Sequence, residues 1–153
     1  MIHINLICLG KLKEKFWREA ENEYLKRLSA FSKIKIHELK EESFNEKNSP
    51  KIIKQKEAEK ILSILKKQDG LIIALDEHGQ QFSSIAFAEK IKPAGKITFI
   101  IGGPLGLDES VLKIANLKLS LSSMTFTHQM VRVILWEQTY RAMMINSNRK
   151  YHY

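Results

Sequence analysis

The chain predicts a single α/β domain over residues 1–153, with a mostly parallel sheet flanked by helices. Three observations predict it. Short apolar runs alternate with segments of helical period in the order β-α-β-α-β-α-β-α-β-α, the pattern of strands returned to one sheet by helical crossovers. Two of the runs, 71–75 and 96–101, are almost unbroken in apolar character, as strands covered on both faces are. The composition, 44% hydrophobic and 27% charged over 153 residues, supplies one core of ordinary size. No repeat, low-complexity tract or long linker divides it.

The elements follow in order. Residues 2–9 are rich in Ile and Leu and read as a strand. Residues 13–31 read as a helix, because Phe16, Trp17, Ala20, Tyr24 and Leu28 recur at helical spacing on one face. Residues 33–39 alternate, with Ile34 and Ile36 marking a second strand. A polar loop leads to Ser49-Pro50, a cap residue and a first-turn proline. They open a helix that runs to about Gln68, with Ala58, Ile61, Leu62 and Leu65 inward. Asp69-Gly70 ends it. The strand 71–75 runs into a polar turn, Asp76-Glu77-His78-Gly79. A short helix starts at Ser83 or Ser84 and continues through Ile91, before Pro93 and Gly95. After the strand 96–101 comes a tight glycine loop, 102–106. The next helix carries Asp108 and Glu109 in its first turn, where the helix dipole favours acids. A strand at 117–121, a polar loop at 122–127 and a helix over 128–146 complete the order.

The net charge is +8, with a sequence pI near 9.5. Such a balance fits a polyanionic partner, or equally a set of lysine-rich solvated helix faces. Placement adds to the first reading. Glu137 is the last acidic residue, and Arg141, Arg149, Lys150 and His152 follow it. Arginine offers phosphate a planar fork where lysine offers a point charge. The opening residues carry no basic leader or cleavage site, so no signal peptide is expected. No apolar stretch reaches the roughly 18 residues of a membrane span. A cytoplasmic protein without a membrane partner is the expectation. The lone cysteine, Cys8, lies in an apolar run and reads as a small buried hydrophobe. His3, His37, His78, His128 and His152 share no ligand spacing, so no metal is expected.

The last helix is apolar on almost every side, through Val131, Val133, Ile134, Leu135, Trp136, Tyr140, Ala142, Met143, Met144 and Ile145. A helix apolar all round is buried all round. One sheet face covers one side, so a second copy of the chain is the simplest cover for the other. A central helix in a monomer is the alternative. Glu137 and Arg141 are spaced to pair with each other.

Two loops follow carboxyl ends of predicted strands, where open α/β sheets bind ligands. The loop Gly102-Gly103-Pro104-Leu105-Gly106 lets backbone approach a ligand closely, or is a plain strand-to-helix turn. It matches neither a phosphate loop nor a dinucleotide fingerprint. The loop Ser122, Ser123, Met124, Thr125, Phe126, Thr127 offers hydroxyls, a thioether and backbone groups, or simply caps the last helix through Thr125 or Thr127. The end of the sequence, Arg149-Lys150-Tyr151-His152-Tyr153, mixes cations with aromatics as RNA-binding surfaces do. A frayed polar terminus has the same composition.

Together these segments resemble a known family. "IIGGPLGL" at 100–107, "LSLSSMTFTHQMVRVILWEQTYRA" at 119–142, the closing "YHY" and the opening "LICLGKLKEKFWREAENEYLKRL" at 6–28 are similar to the RlmH family from one end of the chain to the other. The resemblance implies a SPOUT fold whose C-terminal part is tied in a deep trefoil knot, a topology that general rules of chain connection disfavour. It implies a homodimer that uses S-adenosyl-L-methionine (SAM) to methylate N3 of a pseudouridine in a 23S rRNA hairpin of the large ribosomal subunit. Carried over by position, it implies that Leu75, Gly103 and Ser122 to Thr127 hold the cofactor. His128, Arg141, Tyr151 and His152 would stand near the target base, the tail of one protomer reaching the cofactor site of the other. Arg132, Arg149 and Lys150 would grip phosphates.

Two departures stand out. Thr127 occupies a position the family usually gives to Pro, and Asn148-Arg149-Lys150 replaces a Gly-x-Pro before the Tyr-His. Asn tolerates left-handed backbone nearly as Gly does, so the turn is expected to survive. In the expected chemistry the target nitrogen must lose its proton. His152 or His128 is the candidate base, or the group that stabilises the deprotonated base. Arg141 is placed to stabilise charge on the pyrimidine carbonyls.

Overall fold

The computed structural model describes all 153 residues. Five strands form one parallel sheet: β1 (Ile2–Leu9), β2 (Ser32–Leu39), β3 (Leu71–Gln80), β4 (Lys96–Ile101) and β5 (Leu117–Leu119). Their order across the sheet is β2-β1-β4-β3-β5. The helices are α1 (Lys15–Leu28), α2 (Pro50–Leu65), α3 (Ser84–Ile91), the single turn α4 (Glu109–Leu112) and α5 (His128–Asn146). The side chains of β1 and β4 alternate between two cores. Ile4, Leu6, Cys8, Ile97, Phe99 and Ile101 join Leu28 of α1, Phe87 and Ile91 of α3, and Leu135 and Trp136 of α5. Ile7, Leu9 and Ile100 join Ala58, Ile61 and Leu65 of α2 and Val111 of α4 on the other face. Covered strands and the period-2 alternation explain why β1 and β4 are mostly apolar, with His3, Asn5, Lys96 and Thr98 the exceptions.

Local chemistry fixes the helix starts. Ser49, Ser83, Asp108 and Thr127 sit in extended backbone, and each accepts a hydrogen bond from the first turn that follows, as N-caps do. Two expectations need correction. The polar residues 76–79 lie within β3, as a bulge: Leu75 and Gln80 both pair with Leu119, so the four residues between are pushed out of the ladder. Phe16 does not face inward with Trp17 and Leu28; it is 60% exposed.

Cys8 is buried, and burial pushes its thiol up to about 12 against the pull of Arg132. It is an inert packing group. Beside it lies a buried ion cluster. Arg132 is 5% exposed. Its Nε and Nη2 donate to the two oxygens of Glu21, and Nη1 donates to Glu38 at 2.7 Å. Trp136 Nε1 also donates to Glu21, at 2.9 Å. Burial acts to lower the guanidinium's pKa, but these carboxylates more than offset it and hold the charge. The cluster ties α5 to α1 and to the end of β2.

Candidate active site

The route of the chain between β5 and α5 assembles the site. β5 is an edge strand beside β3. The first turn of α5 lies at the ends of β1 and β4, where His128 and Arg132 border a small cavity with Cys8, Gly10 and Ile101. Residues 122–127 must therefore cross the carboxyl ends of β3 and β4, about three strand spacings or roughly 14 Å. Six extended residues span at most about 20 Å, so the loop makes the crossing with only a few ångströms of slack. It is pinned on the way: Ser120 Oγ donates to the Ser122 carbonyl at 2.9 Å, Gln81 donates to Ser123 Oγ at 3.1 Å, and Thr125 Oγ1 donates to Glu77 at 2.9 Å. Thr127 then caps α5, with φ −61°, close to the value a proline imposes. The departure from Pro at this position keeps the backbone path.

Beneath that crossing lie the two other segments singled out in the sequence. Leu75 pairs with Leu119, and Ala74 with Ile100 of β4. Leu75 and Gly103 thus emerge on the same edge as the 122–127 loop. Gly103 is buried, and a Cβ built on it would stand 3.2 and 3.3 Å from the two carboxylate oxygens of Glu57. Close approach, with no left-handed φ, is what requires glycine there. Glu57 is 4% exposed. It accepts a hydrogen bond from the Glu42 N–H at 3.2 Å, and burial raises its pKa. Sequence reasoning missed Glu57, whose only signal was an acid next to Ala58 on an inward helix face. His128 Nε2 lies 3.3 Å from Glu41 Oε1. The edge combines backbone, hydroxyls and carboxylates, a set suited to a polar ligand carrying positive charge. A cleft of about 200 Å³ opens beside it, between Phe82–Phe87 and Ile134–Gln138.

The remaining candidates form a second cluster elsewhere. Glu137 accepts from Arg141 Nε and Nη2 at 3.1 and 2.6 Å and from the Tyr151 hydroxyl at 3.1 Å. Arg141 stacks over the Tyr151 ring at 4.8 Å, and its Nη1 lies 3.2 Å from His152 Nδ1. Burial, then Tyr24 and Glu137, raise the Tyr151 pKa, so its hydroxyl stays a neutral donor. Asn148 turns the chain back with φ +54°, the left-handed backbone expected of it. Arg149 rests over Phe31 at 5.1 Å, and Lys150 is exposed. Arg141 is thirteen residue steps along α5 from His128, about 20 Å at 1.5 Å per residue. Within one chain the tail cluster and the carboxyl-edge loops are at opposite ends of the helix. Arg132 belongs to neither cluster. It is expected from the sequence to grip phosphate, but its fork is buried and spent on Glu21 and Glu38, so that reading is withdrawn.

A parallel α/β sheet with a polar loop drawn across its carboxyl edge, over a glycine, defines an α/β protein whose candidate ligand edge is built largely from backbone. The comparisons make the class specific. The family described as "Predicted SPOUT methyltransferase" matches residues 2–152, and the chain belongs to that family. It is 46% identical to the ribosomal RNA large subunit methyltransferase H of Clostridium acetobutylicum over 159 aligned positions, with 99% of each chain covered. It is 48% identical to the protein of the same name from Clostridium novyi (strain NT), again with 99% of each covered. Among solved structures, a probable methylase family protein from Haemophilus influenzae Rd KW20 shares the fold, with a TM-score of 0.57 at 15% identity. That match covers 99% of this chain and 70% of the other. The chain is therefore a SPOUT methyltransferase, as its motifs imply.

Proposed function

We propose that the chain methylates large-subunit ribosomal RNA, transferring the methyl of SAM to N3 of a pseudouridine in a 23S rRNA hairpin, and that it acts as a homodimer. The single observation that carries this reading is the crossing of 122–127 over Leu75 and Gly103, which gathers the motif residues on one ligand edge. The relatives' name supplies the ribosomal RNA. The knot implied by the resemblance belongs to the same reading, with 122–127 as its threaded segment.

The residues fit the cofactor. Gly103 permits backbone contact, the loop offers hydroxyls and amides, and Glu77 favours a cation. SAM supplies an electrophilic methyl on a sulfonium. Leu75, Gly103 and Ser122 to Thr127 hold and orient it, and orientation alone removes several kcal/mol of such a barrier. The acceptor nitrogen must give up a proton. Arg141 cannot accept a hydrogen bond, so His152 Nδ1 is the acceptor of that contact and its Nε2 carries the hydrogen. That makes His152 a donor toward the ring carbonyls, together with Arg141 and Tyr151. It favours His128, whose Nε2 lies 3.3 Å from Glu41 Oε1, as the base. Arg149 and Lys150 hold phosphates. Because Arg141 lies about 20 Å from His128 along one helix, a complete site needs the tail of a second copy, which also covers the outer side of α5.

Mass mapping of large-subunit rRNA from cells lacking the protein tests the proposal. Loss of one methyl from one pseudouridine is the expected result; an unchanged map contradicts it.

A further inference from the structure

An exposed Phe follows a lysine-rich segment that stands beside the first turn of α5. Phe16, on α1, is 60% exposed, and its ring centroid lies 5.1 Å from that of half-buried Trp17. Lys11, Lys13 and Lys15 are all exposed, while Leu12 between them is buried at 5%. Alternate residues of this segment thus face water while the chain stays anchored. The anchoring is firm: Arg18 Nη1 donates to the carbonyls of Leu12 and Lys13 at 2.9 and 2.7 Å. The Lys13 N–H donates to Gln129 Oε1 at 2.9 Å, which fixes the segment next to His128. Lys15 has only a loose, fully solvated partner, Glu19 at 3.6 Å, so its charge stays available. A single exposed Phe is common; one that follows an anchored segment with three exposed lysines, at the rim of the candidate active edge, is not explained by packing, because turning it out of the core costs burial.

We infer that this patch is a docking platform for an unpaired stretch of RNA, one base stacking on Phe16 and the flanking phosphates lying against Lys11, Lys13 and Lys15. The inference rests on the proposed RNA substrate and extends it to a surface that none of the motif residues include. Charge complementarity selects the partner class: phosphates meet the lysines, and an unstacked base meets the flat ring. Double-helical RNA presents no free base face to Phe16.

The test measures binding of the intact protein to single-stranded oligouridylate and oligoadenylate of about ten nucleotides, and to inorganic polyphosphate. Phe16→Ala should weaken single-strand binding by about tenfold and leave polyphosphate binding unchanged. Phe16→Trp should restore the single-strand affinity. Lys13→Gln should weaken both ligands and lower the slope of log affinity against log salt by about one. SAM affinity should be unchanged in all three variants. Wild-type RNA affinity in Phe16→Ala would overturn the platform, and so would an equal loss for polyphosphate. Conversion of a wild-type dimer to monomer by Phe16→Ala would also overturn it, by making the patch a contact between copies. These failures leave the proposed function standing; absence of SAM binding by the wild-type protein would remove that function instead.

Discussion

The two ends of α5 do different things with the same helix. At its start, the carboxyl edge of the sheet is built from backbone and small side chains: Gly103 against Glu57, the pinned loop 122–127, and Leu75 at the end of its ladder. At its finish, the candidate residues are long side chains, with Arg141, Tyr151 and His152 locked together around Glu137. A backbone cradle suits a ligand of fixed shape. A side-chain cluster suits charge that develops during reaction. Each end lacks what the other has; in the proposed function they are two half-sites that a second copy brings together.

Substitutions can break or sharpen this contrast. Arg132 ties the helix to α1 and β2, and Arg132→Ala should disturb both ends at once. It strands Glu21 in the core, and losing one partner of a buried ion pair costs about 3–5 kcal/mol, read as a lower urea midpoint. Arg141→Ala should act at one end only. The methylation rate should fall by about 10²- to 10³-fold, as for other transition-state donors, with SAM affinity unchanged by calorimetry. Gly103→Ala should do the reverse. The new Cβ crowds the Glu57 carboxylate, so SAM affinity should drop by about tenfold, an effect of roughly 1.4 kcal/mol, while RNA binding is retained.

His37 gives the smallest effect and serves as a control outside both half-sites. Its Nε2 is buried without a partner, and burial with Lys35 nearby lowers its pKa from 6.5. The unfolded chain therefore takes up a proton first. Its contribution to stability is complete above pH 6.5 and is lost as pH falls through that value toward the depressed one. His37→Leu should flatten the fall of Tm on acidification without changing activity at neutral pH.

Much of this was legible in the sequence, for reasons that differ by residue. Covered strands such as β4 declare themselves because nearly all their side chains are apolar, and Ser49, Ser83 and Thr127 declare helix starts because capping is local chemistry. The loop residues were legible as motif. Arg132 was not: an arginine on an apolar helix reads as a surface cation until Glu21 and Glu38, far away in sequence, are seen around it. Glu57 and the outward turn of Phe16 were hidden for the same reason, since burial depends on tertiary neighbours. The bulge at 76–79 was read as a turn because its polar residues leave the ladder without ending the strand.

The central claim is that the edge loops of one copy work with the tail of another. It is tested by mixing two inactive variants under conditions that exchange subunits, one with Gly103→Val and one with Arg141→Ala. Neither alone should methylate RNA. Mixed dimers hold one intact composite site, because the symmetric arrangement pairs the sound loop of one chain with the sound tail of the other; random exchange should restore about a quarter of wild-type activity. A mixture as inactive as its components would show that loop and tail must come from the same chain, contradicting the account.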